Sequence, residues 1–185
     1  MNKSILNGLL ATAGLALALS AAAGTTHTMQ PLLLAHAGHA HAGHGQAAKH
    51  DAAAFANAKV SETLSVSQCW IRAIPLPAPS AGYFLVKNGG GKEAKLVAAA
   101  SSTYGMIMLH QTTHEGGMSR MSETHDIAVP AGGELLFKPG GYHAMLEKPS
   151  EAPAVGSKVG IDFLFDNGEK AHAECDVKPA NTKGH

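Results

Sequence analysis

Between residues 64 and 177 short apolar runs alternate with polar positions and turn residues, and within the runs the period is two. Successive side chains of an extended chain point to opposite faces, so this period predicts strands that bury one face each. The runs fall at 64–71, 83–86, 95–99, 106–110, 118–122, 127–129, 134–138, 142–146, 159–165 and 171–177. Pro75, Pro77 and Pro79 break the chain after the first run, and Asn88-Gly89-Gly90-Gly91 ends the second. Gly116-Gly117 folds the chain back before the fifth run, and Asp166-Asn167-Gly168 predicts a hairpin between the last two. Turn signals at roughly ten-residue intervals indicate an all-β fold, an antiparallel sandwich or barrel. The run Met106-Ile107-Met108-Leu109 reads as packing residues of that fold.

The first sixty residues follow another pattern. Lys3 precedes an apolar stretch, 5–23, interrupted by Gly8 and Gly14 and closed by Ala21-Ala22-Ala23, so 1–23 reads as an export signal. Ala35-His36-Ala37 is a second candidate cleavage site. An uncleaved membrane anchor is the competing reading, because the stretch approaches the length that spans a bilayer; its glycines and terminal small residues favour the signal. Residues 24–60 form a tract rich in Ala, Gly and His, with His36, His39, His41, His44 and His50 at its centre. Such a composition buries too little apolar surface to offset chain entropy, so a mobile tract is expected. The expected organisation is therefore signal 1–23, tract 24–60, β-domain 61–179 and tail 180–185.

Charge and cysteine content narrow the function classes. Fourteen Lys and Arg balance fourteen Asp and Glu, and only 15% of residues are charged. No basic field exists to hold a phosphate backbone, which argues against nucleic acid as a partner. No later segment is apolar for long enough to span a bilayer, so the mature protein is expected to be exported without membrane insertion. Cys69 and Cys175 lie near either end of the β-domain. In an oxidising compartment an even pair is most simply a disulfide. Free buried thiols are an alternative, as is a Cys copper ligand, although no Met and only His185 follow Cys175.

The stretch 110–145 carries the candidate chemistry. His110, Met121, His143 and Met145 offer two imidazoles and two thioethers, soft neutral donors that suit Cu(I). In a strand, His143 and Met145 would point to the same side, and a turn at Gly116-Gly117 would bring Met121 back beside His110. His114, His125 and Met118 lie in the same stretch as weaker candidates. Ser101, Ser102 and Ser119 have no nucleophile-elbow context, and no His-Glu-x-x-His motif is present, so an enzyme is not expected.

The order His, ten residues, Met, twenty-one residues, His-x-Met resembles the signature of the periplasmic copper chaperones called PCu(A)C. Trp70-Ile71-Arg72-Ala73, Ala81-Gly82-Tyr83, Val129-Pro130-Ala131-Gly132-Gly133 and Lys138-Pro139-Gly140-Gly141-Tyr142-His143 are similar to phrases of that family, over about 65–178. The resemblance implies a cupredoxin-like β-sandwich and a periplasmic carrier that holds Cu(I) through His110, Met121, His143 and Met145. It further implies a recipient, the copper centre of a respiratory oxidase, with a thiol-bearing assembly factor alongside. A copper-buffering or resistance protein without a dedicated recipient is the alternative, and a β-sandwich interaction module without functional metal is a third.

The His tract offers nitrogen donors, which suit Cu(II), Zn(II) or Ni(II) better than Cu(I). A tethered tract of this kind would raise the local copper concentration. Deleting residues 24–60 is therefore expected to abolish part of the Cu(II) stoichiometry in an equilibrium titration while leaving Cu(I) binding intact. Unchanged Cu(II) stoichiometry would refute a metal-binding role for the tract.

Overall fold

A computed structural model describes residues 52–184, which belong to one compact unit. The expected signal at 1–23 and His36, His39, His41, His44 and His50 of the tract lie outside the described residues. The chain runs through α1 (Ala52–Asn57), β1 (Lys59–Val60), β2 (Leu64–Arg72), β3 (Ser80–Asn88), β4 (Ala94–Ala100) and β5 (Tyr104–Glu115). It continues through β6 (Met118–Glu123), β7 (Ile127–Val129), β8 (Glu134–Phe137), β9 (Tyr142–Pro149), β10 (Lys158–Phe165) and β11 (Glu169–Lys178). Every predicted run is a strand; most extend past the expected ends where pairing continues, whereas β7 keeps its expected bounds and β8 stops one residue short, at Phe137.

Hydrogen bonding follows the order β6-β5-β9-β3-β2-β11-β10-β4-β7, with β8 on β3 and β1 on β11. The fold is the expected all-β, cupredoxin-like sandwich. It is antiparallel except where β11 pairs β2 and β1 in parallel. Phe84, Phe137, Phe163 and Phe165 are fully buried in its interior, and the Phe84 ring lies 4.2 Å from that of Phe137 and 4.6 Å from that of Phe163. Ile107 and Leu109 of β5 and Ala144 and Leu146 of β9 also point into this core.

Two local departures from the sequence expectation matter. The end of the Ala-rich tract contains α1 and β1, and β1 pairs with β11 through Lys59 and Val60. Ala is the strongest helix former, and a six-residue Ala-rich segment was indistinguishable by composition from the low-complexity sequence before it. The second departure is in β2, where the simple alternation expected over 64–71 is interrupted. Ser67 pairs with Leu85 and Trp70 with Tyr83, so three steps on β2 oppose two on β3. Gln68 adopts a positive φ of 51° at this bulge. The extra residue reverses the phase of the strand. Leu64 and Val66 face the core before it, Cys69 and Ile71 after it, and Trp70 is turned to the opposite face.

That phase reversal also places Cys69 beside Cys175, and the two form a disulfide across the parallel β2–β11 pair, with Cα atoms 4.4 Å apart. Of the readings open for the two cysteines, the disulfide is the one the structure shows. It closes 106 residues of chain between the strands. Cross-linking a loop of that length stabilises chiefly by restricting the unfolded chain. Substituting both cysteines by Ser is expected to lower unfolding free energy by about 2–5 kcal/mol, measured by denaturant titration under oxidising conditions. Equal stability of the two proteins would contradict a structural role for the bridge.

Candidate metal centre

The register between β5 and β9 builds the candidate site. His110 pairs with His143 and Met108 with Met145, so these four side chains stand on one face, opposite to Leu109, Ala144 and Leu146. The imidazole centroids of His110 and His143 are 5.8 Å apart and nearly edge to face. On the other side of β5, β6 pairs Thr112 with Met121 and His110 with Glu123, which puts Met121 and Glu123 on the same face. The β5–β6 connection is the two-residue Gly116-Gly117 turn, and both glycines have positive φ, 57° and 78°. A two-residue hairpin of this kind needs left-handed backbone at both positions, and glycine adopts it without steric cost.

All four predicted ligands are therefore brought to one surface. Met121 lies on the exposed hairpin, and its Sδ is 3.2 Å from Nε2 of His143. His143 itself is only 7% exposed, whereas Met121 is 51% exposed. Nδ1 of His143 donates to the carbonyl of Gly141 at 3.0 Å, because a carbonyl can only accept. In the neutral ring Nε2 is then unprotonated, and its lone pair faces a sulfur lone pair. Two such donors at 3.2 Å are held apart unless a proton or a soft cation lies between them.

His110 fits the same requirement. Its Nδ1 is buried and has no hydrogen-bond partner, a state that costs about 1–3 kcal/mol unless a ligand satisfies it. Burial pushes the His110 imidazolium below its ordinary pKa, and the neighbouring His143 pushes it further in the same direction. Glu123 and Glu147 partly oppose them. The ring is thus biased toward the neutral form that metal binding uses. Among the described residues no three His, Cys, Asp or Glu side chains are placed to hold a metal ion.

The weaker candidates separate cleanly. Both ring nitrogens of His114 are engaged, Nε2 with the Gly140 carbonyl at 3.1 Å and Nδ1 with the Ser119 hydroxyl at 2.9 Å. His125 sits 3.7 Å from Glu123, and Met118 pairs opposite Glu115, out of phase with Met121. Met106 and Met108, in contrast, are not core residues. Alternation puts them on the face of His110, half-buried, while Ile107 and Leu109 take the core. In an unbroken run of apolar residues both faces look alike, and only the partner strand shows which is inside.

Sequence reasoning also missed an aromatic wall. The β3 register places Tyr83 on the same side as Met145, with its ring 6.4 Å from that of His143. Trp70 lies 4.4 Å from Tyr83, and the Arg72 guanidinium sits 5.2 Å from the Tyr83 ring. Burial raises the Tyr83 hydroxyl pKa, with Arg72 opposing. The bulge at Gln68, which turns Trp70 and Arg72 to this side, carries no strong signal in the sequence.

A β-sandwich with a His/Met face at the exposed hairpin is the class that this geometry defines. A family model for LpqE-like lipoproteins matches residues 64–177, and the chain belongs to that family, which is of PCu(A)C type. A Leifsonia xyli subsp. xyli protein named as a lipoprotein, Lxx21020, is 31% identical over 121 residues, which cover 65% of this chain and 72% of that protein. The solution structure of CuI-DR1885 from Deinococcus radiodurans is 29% identical with a TM-score of 0.50, over 70% of this chain and 87% of that one. The apo PmoF2 PCuAC domain shares the fold at a TM-score of 0.54 and 19% identity, over 65% of this chain and 93% of that domain.

The tautomer of His143 follows from the Gly141 contact and is directly measurable. In the metal-free protein, at a pH where the ring is neutral, ¹⁵N correlation spectra are expected to show Nδ1 protonated and Nε2 pyridine-like. The opposite tautomer would remove Nε2 from the donor set.

Proposed function

We propose that this protein is a periplasmic Cu(I) carrier that holds the ion through His110, Met121, His143 and Met145 and passes it to an acceptor protein. The observation that carries this reading is the pairing of a buried imidazole with an exposed thioether, His143 Nε2 and Met121 Sδ at 3.2 Å. The buried ring gives a fixed donor. The exposed hairpin sulfur can be replaced by a donor from an acceptor, so copper moves from one ligand set to another without being released. The relationship to CuI-DR1885 supports copper as the cargo. Thioether donors need no deprotonation, so affinity falls less on acidification than it would at a thiolate site.

The acceptor in this reading is a copper centre of a respiratory oxidase, with a thiol-bearing assembly factor taking part in the exchange. Export is supported by the signal-like segment 1–23 and by the disulfide, which suits an oxidising compartment. Among the described residues no helix is long and apolar enough to cross a membrane. The lipoprotein name belongs to the relatives. A buffering role without a dedicated recipient is the second reading, favoured by the five His between 36 and 50.

Anaerobic Cu(I) titration against a chromophoric chelator tests the proposal. One tight equivalent is expected. Met121→Ala or His143→Ala should weaken it at least tenfold, since removing even an outer-shell partner typically costs roughly 10–100-fold. An equivalent indifferent to both changes would refute the assignment. Transfer to an apo-oxidase copper domain faster than free exchange would separate carrier from buffer.

A further inference from the structure

The methionines of this domain are distributed in a way that packing does not explain. Among the described residues there are five, Met106, Met108, Met118, Met121 and Met145, and all lie on β5, β6 and β9. None is in the buried core, which is built from Phe, Leu, Ile, Val and Ala with two Tyr, a Trp and the disulfide. Methionine is the usual filler of irregular core gaps. Here it is confined to three adjacent strands, and four of the five share the face that carries His110 and His143.

Two of those four lie outside the donor set already proposed. Met108 stands directly opposite Met145, in the same relation that His110 has to His143. One rung further from the hairpin, Met106 stands opposite Glu147. Directly opposed residues of an antiparallel pair have Cβ atoms about 4.5–5.5 Å apart, and same-face residues of one strand are successive rungs of a ladder. An open cleft of about 600 Å³ runs along this ladder, lined by Met106, Met108, His110, Met121, Glu123 and Glu147. The thioethers of Met106, Met108 and Met121 are thus accessible, and the two carboxylates in the cleft wall outweigh the one ammonium there, that of Lys148, so the net charge of the wall favours a cation.

We propose that Met106 and Met108, with Met145 as a donor shared with the first site, form a second soft-cation site beside the His110–His143 centre. The class of ion is monovalent, d¹⁰ and thiophilic, Cu(I) or Ag(I), since thioether sulfur binds such ions and offers little to Zn(II) or Mg(II). This rests on the proposed function, because Met145 belongs to both donor sets. With no imidazole, the second site binds more weakly than the first. It provides a step by which an ion enters or leaves along the cleft while Met145 stays bound.

The test uses the full chain with ¹³C-labelled methionine methyls, titrated with Ag(I), which is not oxidised by air. Ions taken up by the His tract move no methyl signal of these four residues. The Met121 and Met145 methyls are expected to shift through the first equivalent, and those of Met106 and Met108 through a later one. The double variant Met106→Leu, Met108→Leu should lose the later step and keep the first; Leu for Met conserves volume on a half-buried face, so folding is retained. Met106 and Met108 signals that stay fixed throughout would overturn the second site and leave the carrier proposal standing. A later step at Met145 that persists unchanged in the double variant would do the same. Four methyls that all stay fixed would overturn both.

Discussion

The pairing of His110 with His143 across β5 and β9 is the constraint on which the rest of this surface depends. Side-chain direction alternates strictly along a strand, so this one register decides which residues see the core and which see the cleft. A slip of β5 by one residue would drive His110 into the apolar interior and expose Ile107 and Leu109, and a slip of β9 would do the same with His143, Ala144 and Leu146. The cost of exposing those core residues keeps the register in place. The donor set is held by core packing rather than by contacts among the donors themselves.

The remaining elements refine that arrangement. The Gly116-Gly117 turn returns β6 tightly enough to put the Met121 sulfur over His143, and it leaves that sulfur half in solvent. The Gly141 carbonyl fixes the tautomer of His143 from behind. On the far side, the bulge at Gln68 turns Trp70 toward Tyr83, closing one wall, while the same phase change points Cys69 inward to meet Cys175. A single inserted residue thus serves both the wall of the site and the covalent tie of the core.

Much of this was legible in the sequence because it rests on period and spacing. All ten apolar runs are strands, and the turns at Gly116-Gly117 and Asp166-Asn167-Gly168 connect hairpins as expected. That His143 and Met145 share a face followed from alternation, whereas the choice of His110 and Met121 as their companions came from the family resemblance, with the Gly116-Gly117 turn making their approach feasible. What was not legible depends on partners far away in the chain. Met106 and Met108 lie in an apolar run whose two faces are equivalent until β9 is docked. The bulge at Gln68 depends on pairing with β3. The helix Ala52–Asn57 and the strand Lys59–Val60 lay hidden in an Ala-rich tract, and β1 exists only because β11 offers it a free edge.

The central claim is that imidazole and thioether donors share one Cu(I). Copper K-edge X-ray absorption on the full chain, loaded anaerobically with one equivalent of Cu(I), reads that donor set directly. The account predicts a Cu(I) edge and a shell containing both nitrogen and sulfur scatterers, with the sulfur contribution diminished in Met121→Ala. A shell of nitrogen and oxygen alone would contradict it, because the ion would then lie on histidines elsewhere and the His/Met face would not be its site.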